Sequence, residues 1–295
     1  MNYRHAFHAG NFADCMKHAL LVWMLRALQR KPAPLFVLDT HAGIGRYDLR
    51  GAEAERTGEW REGIGRLLDR PADPGDPLSA YVGLVRNYMA GDMPSYPGSP
   101  VLAQSLLRPQ DRLACCELHP ADHATLEATL DRDRRAAAHH RDGYDAIRAL
   151  LPPAARAAAP GQPAAPIRRG LVLIDPPFET ANEFERLEQA VRDARRRFNT
   201  GIVAAWYPIK HRAPARTFLD NLAAAGEPDL VAAELLLRPP LDPQRLNGCG
   251  LLVAAPPFGF EEAARDILAA LATALGDGEA VAEVRRVTPE GGAAR

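Results

Sequence analysis

Leu171-Val172-Leu173-Ile174-Asp175-Pro176-Pro177-Phe178 decides how the chain is read. The aliphatic run predicts a buried strand, and the Asp-Pro-Pro-aromatic that follows puts one carboxylate and one ring where that strand leaves its sheet. Two successive prolines fix φ and carry no N–H, so the turn is stiff and its carbonyls face outward as acceptors. A carboxylate (Asp175), a fixed carbonyl (Pro176) and an aromatic face (Phe178) suit a planar amino group, whose two protons they accept while the ring stacks on its plane. The exocyclic amine of a nucleobase fits that description.

Working outward, 295 residues are enough for one large α/β core, and no composition break forces a split. The hydrophobic content of 47% and charged content of 25% are ordinary for a globular protein, and no apolar run reaches membrane-spanning length. Met1 to His5 lack the layout of a signal peptide, so a cytoplasmic location is expected. Cys15, Cys115, Cys116 and Cys249 form no Cys-x-x-Cys pair, which indicates core thiols and neither a disulfide framework nor a metal site. A net charge of −1 argues weakly against nucleic acid, although a local basic patch on a balanced surface suffices for it.

Asn11, with Asp14 three residues on, starts a helix from Phe12 to about Gln29, in which Lys17 and His18 sit among apolar neighbours. From this stretch alone His18 reads as a core histidine. Leu35 to Asp39 predicts the first strand, opening into Thr40-His41-Ala42-Gly43-Ile44-Gly45, where a Gly-x-Gly lets backbone approach a ligand. The third glycine of a dinucleotide fingerprint is replaced by Asp48, which disfavours NAD.

From about 47 to 96 the alternation of strands and helices breaks into amphipathic segments, Gly58 to Asp69 and Leu78 to Met89, predicting a small helical insertion. Ser99, in Pro97-Gly98-Ser99-Pro100, is placed as a helix N-cap. A strand over Arg112 to Leu118 carries Glu117 near its end, and one over Ala136 to Arg141 ends in Asp142-Gly143. Those acids stand where an adenosine pocket needs them, one for ribose hydroxyls and one for the adenine edge. An ordinary turn at Asp142-Gly143 is an equal alternative.

Residues 152–169 predict a surface linker. Strands and helices then alternate again, with Leu230 to Leu237 and Gly250 to Ala255 forming a strand pair. Ala255-Pro256-Pro257-Phe258 repeats the Pro-Pro-Phe spelling without a carboxylate and is assigned no chemistry. The division expected is 1–34 as a closing segment and helix, 35–275 as the main domain, and 276–295 as a mobile tail.

Gly-x-Gly after strand one, an acid after strand two, Asp-Gly after strand three and Asp-Pro-Pro-Phe after strand four resemble the S-adenosylmethionine-dependent amino-methyltransferases. The wording of Tyr3-Arg4-His5, Phe7 to Asn11, Lys17-His18, Asp39 to Gly43, Glu55 to Glu59, Tyr96 to Pro100 and Trp206-Tyr207-Pro208 is similar to the RlmJ family. That family methylates N6 of the adenine at position 2030 in bacterial 23S ribosomal RNA. The resemblance spans nearly the whole chain and departs from the family at the longer linker and at Phe178, where many members carry Tyr.

It implies an α/β, Rossmann-like class I methyltransferase sheet with an inserted helical subdomain. S-adenosylmethionine would be held by His18, His41, Ser99, Glu117, Asp142 and Gly143, with Lys17, Gly43 and Gly45 at the cofactor loop. Asp175 would be catalytic, and Pro176, Phe178 and Tyr3 would contact the target base. A monomer that acts on 23S RNA, without metal or membrane, is the expectation, with Arg192 to Arg197 and Lys210 to Arg216 as candidate RNA-facing patches. The alternatives are a DNA adenine-N6 methyltransferase, disfavoured by the lack of a DNA-reading domain, a protein-glutamine methyltransferase, and a non-catalytic rRNA-binding protein.

Overall fold

The computed structural model describes residues 4–91, 94–157 and 164–291. An eight-stranded sheet runs in the order β12-β10-β11-β9-β8-β1-β4-β5. Its strands are β1 (Phe36–Asp39), β4 (Arg112–Glu117), β5 (Ala136–His140), β8 (Gly170–Ile174), β9 (Ile202–Ile209), β10 (Leu230–Leu236), β11 (Gly248–Ala254) and β12 (Val281–Thr288). Two-residue ladders join β2 (Arg46–Tyr47) to β3 (Tyr96–Pro97), and β6 (Arg156–Ala157) to β7 (Ala164–Ala165).

The first half of the sheet is parallel: β1 pairs with β4 and β8, β4 with β5, and β8 with β9. β11 then lies antiparallel between β9 and β10. Every residue of β8 is buried, as its aliphatic run predicts, because helices cover both faces. From β1 the chain moves one way to β4 and the other way to β8. The loops after these strands therefore diverge and leave a crevice at their C-terminal ends, the usual ligand position in such sheets.

Helix α1 (Phe12–Gln29) has the bounds the sequence predicts, with the Asn11 side chain accepting from the Asp14 amide at 3.0 Å. It is buried on nearly every face, and Leu20, Leu21, Met24 and Leu25 each stabilise the fold by about 1.5–3 kcal/mol through removal from water. Residue 34 is thus no boundary, since α1 belongs to the main core together with β11.

The insertion is helical, but its first expected segment is broken. α2 (Ala52–Thr57) ends at Gly58 in the left-handed region, a π-helical turn covers Arg61–Gly65, and α3 is only Arg66–Leu68. The interruption follows from Gly63, whose backbone is non-helical and where a Cβ would stand 2.2 Å from the Gly10 carbonyl oxygen. The broken segment is a seat for the N-terminal turn: Ile64 N–H donates to Gly10 O at 2.8 Å, and Glu59 accepts from Asn11 Nδ2 at 3.0 Å. α4 (Ser79–Met89) completes the insertion.

Beyond it, α5 (Ser99–Leu106), α6 (Pro120–Leu130), α7 (Gly143–Leu150), α8 (Glu183–Arg197), α9 (Arg212–Ala224) and α10 (Phe260–Leu275) flank the sheet. β9 continues through Pro208 to Ile209. β8 stops opposite Ala205, so that side of β9 is open and accommodates a proline. The expected mobile tail is corrected as well, because β12 pairs with β10 from Leu230↔Thr288 to Leu236↔Val281 and closes the edge of the sheet. Its partly exposed, charged face hid the strand from a reading based on apolar runs. No helix is long and apolar enough to cross a membrane, and no cluster of His, Cys, Asp or Glu suited to a metal occurs among the described residues.

Candidate active site

A cavity of about 1550 Å³ opens at the C-terminal ends of β1, β4, β5 and β8. Most of the residues expected at the site line it: Lys17, His18, His41, Gly43, Ser99, Glu117, Asp142, Gly143, Asp175, Pro176 and Phe178. Gly45 is buried behind this wall, with φ of +83°, and a Cβ there would press on Val101 and Thr129. Tyr3 lies outside the described residues.

On one side, the turn after β1 meets the ends of β4 and β5. Gly43 adopts φ of +60°, and its N–H donates to Glu117 Oε2 at 3.0 Å, while the His119 N–H donates to Oε1 at 2.8 Å. Each Glu117 oxygen is thereby fixed and keeps a lone pair for a hydroxyl. Asp142 caps α7, its Oδ1 taking the Tyr144 and Asp145 amides at 2.8 and 3.2 Å, so the turn reading holds for that oxygen. Oδ2 stands 3.4 Å from Arg186 Nη2. Gly143 is required by close approach, since a Cβ would lie 2.2 Å from the Thr40 carbonyl oxygen.

Burial lowers the His41 pKa to about 4 and that of His18 to about 3, so both imidazoles are neutral at physiological pH. His18 is the core histidine its neighbours predict, with Nδ1 2.6 Å from Tyr96 Oη, and it lines the cavity as the family resemblance implies. Ser99 does not cap α5: Gly98 holds that position, and the serine side chain faces the cavity.

Asp39, at the end of β1, was not singled out in the sequence. It is 1% exposed, and neither carboxyl oxygen makes a hydrogen bond among the described residues. Burial pushes it up to about 7, with the Asp175 charge adding, while the nearby Ser99 hydroxyl, Lys17 ammonium and His41 amide act against. A raised acid pKa contributes stability that is complete below the unfolded value near 3.8 and is lost as pH rises through about 7. Half of that shift is worth about 2 kcal/mol. In urea unfolding from pH 4 to pH 8, Asp39→Asn is therefore expected to gain on the wild type across that window by about this amount, and parallel curves would refute the raised pKa.

The other side is built on Asp175, whose Oδ2 lies 2.6 Å from Lys17 Nζ. Lys17 also reaches Asp14 Oδ1 at 2.8 Å, and Asp14 Oδ2 accepts from Gly10 N–H at 2.9 Å and meets His5 Nε2 at 2.9 Å. Burial alone would discharge Lys17, but the Asp14 and Asp175 carboxylates outweigh it and hold its pKa well above the usual value. Likewise His5, Lys17 and His18 outweigh burial at Asp14 and hold that acid well below the usual range. Lys17 thus bridges two carboxylates at the cavity wall. The signal for it was Asp14-x-x-Lys17, one turn apart on a helix face.

Phe178 takes φ of +52°, a conformation costing a bulky residue on the order of 1–3 kcal/mol. Packing fixes it there: Phe184 and Trp206 meet its ring edge-on, with centroids at 4.9 and 5.9 Å. Trp206 also lines the cavity, and its indole N–H has no hydrogen-bond partner among the described residues. The carboxyl-free repeat at Ala255 follows β11, which runs opposite to β9, so it lies at the opposite end of the strands from the cavity, with Phe258 almost fully exposed.

The site therefore joins a nucleoside-sized cradle, with fixed carboxylates at two strand ends, to a charged acceptor facing an aromatic wall. These residues fit S-adenosylmethionine: Glu117 and Asp142 offer acceptors for its hydroxyls and adenine, and behind the cavity wall the Asp39 carboxyl is buried without a hydrogen-bond partner among the described residues. A family model described as "Ribosomal RNA large subunit methyltransferase D, RlmJ" matches residues 32–288. The chain is 38% identical over 269 residues to ribosomal RNA large subunit methyltransferase J of Escherichia coli, covering 91% of each chain. It is 37% identical over 293 residues to the protein of that name from Haemophilus influenzae, covering 98% of this chain and all of the relative. The crystal structure of protein LPL1258 from Legionella pneumophila superposes with a TM-score of 0.81 at 33% identity, over 95% of this chain and 98% of that one. With this fold and this site, the chain belongs to the RlmJ family of S-adenosylmethionine-dependent methyltransferases.

Proposed function

We propose that the protein transfers a methyl group from S-adenosylmethionine to N6 of an adenine in 23S ribosomal RNA, at position 2030 by the family resemblance. It acts as a monomer in the cytoplasm, and sedimentation would check the monomer. The observation that carries this reading is the Asp175 carboxylate at the cavity wall beside Phe178 and Trp206, held by a charged lysine. The ribosomal names of the relatives support the RNA substrate.

When bound, S-adenosylmethionine supplies an electrophilic methyl carbon. Glu117 accepts hydrogen bonds from ribose hydroxyls, Asp142 Oδ2 from the adenine edge, and His18, His41 and Ser99 shape the remaining wall. The target amine is a poor nucleophile, because its lone pair is delocalised into the ring. Lys17 occupies Asp175 Oδ2, which leaves Oδ1 for one amine proton, and the Pro176 carbonyl takes the other. Those two bonds favour a pyramidal nitrogen and free the lone pair, while Phe178 stacks on the base and offsets part of the cost of unstacking it. As the N–C bond forms, the methyl–sulfur bond of the donor would break with its electron pair staying on sulfur, leaving S-adenosylhomocysteine, and the proton lost from the amine would pass to Asp175.

The test is transfer of labelled methyl to 23S RNA, duplex DNA and a protein extract, with products digested to nucleosides and amino acids. N6-methyladenosine from RNA alone is the expected result. Label in DNA or on glutamine would replace the substrate, and cofactor binding with no transfer anywhere would make this an RNA-binding protein.

A further inference from the structure

The loop joining β10 to β11, residues 237–247, reads in the sequence as a connection and no more. In the fold it forms part of the cavity wall through Leu237, Arg238, Gln244, Arg245 and Leu246, beside Lys210 at the end of β9. The loop is stiff. Pro239, Pro240 and Pro243 limit its backbone, and Asn247, 1% exposed, staples it by donating from Nδ2 to the carbonyls of Lys210 and Asp242 at 2.8 and 2.7 Å.

Its charges are arranged unusually for a connecting loop. Arg238 Nη1 donates to Leu246 O at 2.9 Å, but none of Arg238, Arg245 and Lys210 forms an ion pair with a carboxylate among the described residues. The acids near them are engaged: Asp242 accepts the Gln244 amide at 2.9 Å, and Asp277 faces Arg66 at 3.2 Å. Burial, and then the charge of Arg245, lower the Arg238 pKa, with Asp277 opposing. The two guanidiniums line the same part of the cavity wall. The arginines at the C-terminal end of α8 behave differently: Arg192 lies near Glu188 and Glu227, Arg196 pairs with Asp193, and none from Arg192 to Arg197 lines the cavity, while Arg186, which does, is engaged by Asp142 and Glu183. Cations kept together and unneutralised at a cavity mouth are favoured once an anion joins them.

We propose that Arg238, Arg245 and Lys210 form a binding site for RNA phosphates that grips the backbone next to the nucleotide entering the cavity. This rests on the rRNA-methylation reading and replaces the α8 arginines as the RNA-facing cations. Phosphate contacts of this kind fix the position of the strand without reading its sequence. They would present the sugar of the target nucleotide to the opening between Asp175 and Trp206.

The experiment compares wild type, Arg245→Gln, Lys210→Gln and the double variant, with Arg196→Gln on α8 as control; Arg245, Lys210 and Arg196 are all exposed. Binding to in-vitro transcribed 23S RNA is followed across rising salt, with KM and kcat for methylation and calorimetry for S-adenosylmethionine. The double variant should lose roughly tenfold in RNA affinity, and its plot of log K against log salt should be shallower by roughly 0.7–0.9 per contact removed. KM for RNA should rise with kcat little changed, and cofactor affinity should match wild type. Arg196→Gln should behave as wild type.

Wild-type affinity and salt slope in the double variant, or an equal loss in Arg196→Gln, would overturn the phosphate site and leave the methyltransferase reading intact. A wild-type protein that binds cofactor but places no methyl on RNA would overturn both.

Discussion

Asp175→Ala is expected to lower methyl transfer at least ~10³-fold while leaving S-adenosylmethionine affinity within a few-fold of wild type. The carboxylate stands on the aromatic side of the cavity, and the groups assigned to the cofactor, Glu117, Asp142 and Ser99, stand on other elements. Single-turnover transfer of labelled methyl, with calorimetry on the same samples, separates the two effects. Asp175→Asn keeps an acceptor oxygen but loses the charge that pairs with Lys17, and it should retain more activity than the alanine variant. If Asp175→Ala stayed within tenfold of wild type, the amine would have to be activated elsewhere, and the site as assembled would be wrong.

Lys17→Met should carry the largest cost in stability, about 3–5 kcal/mol in urea unfolding, because it strips the shared cation from buried carboxylates. Lys17 is 4% exposed and joins Asp14 to Asp175. The pH dependence has a definite sign. Asp14 is held below the usual carboxylate range, so its stabilisation is present above pH 3.8 and is lost as pH falls through its folded value. Lys17 is held above 10.5, so its contribution is complete below that pH and is lost only as the solution becomes more alkaline than its folded value. The wild-type advantage should therefore persist from mildly acid to mildly alkaline conditions.

With the ammonium gone, Asp14 would hold a proton more readily, and the acid limb of the stability profile should move to higher pH. A stability loss with an unmoved profile would reduce Lys17 to a structural strut.

The parts of this protein that depend on local chemistry could be read from the chain. The buried strand before Asp175 follows from an aliphatic run, α1 from the Asn11 cap and its apolar residues, and the crevice from strand ends carrying Gly43, Glu117, Asp142 and Asp175. Each of these signals lies within a few residues of the feature it predicts. Wording over nearly the whole chain was also enough to bring the family and its methyl donor into view.

What the sequence could not show was which distant segments meet. Lys17 and Asp175 are 158 residues apart, and only the packing of α1 against the sheet makes them an ion pair. The break at Gly63 exists because the chain there must pass the Gly10 carbonyl, and β12 is a strand because β10 offers an open edge to its partly polar face. Arg238 and Arg245 look like any two arginines in a proline-rich loop until the hairpin folds them over the cavity without a carboxylate between them. Local propensity and pattern determined the elements and their order. Charge pairing, close approach and the cavity were decided by the tertiary structure, because those energies depend on distance through space and not along the chain.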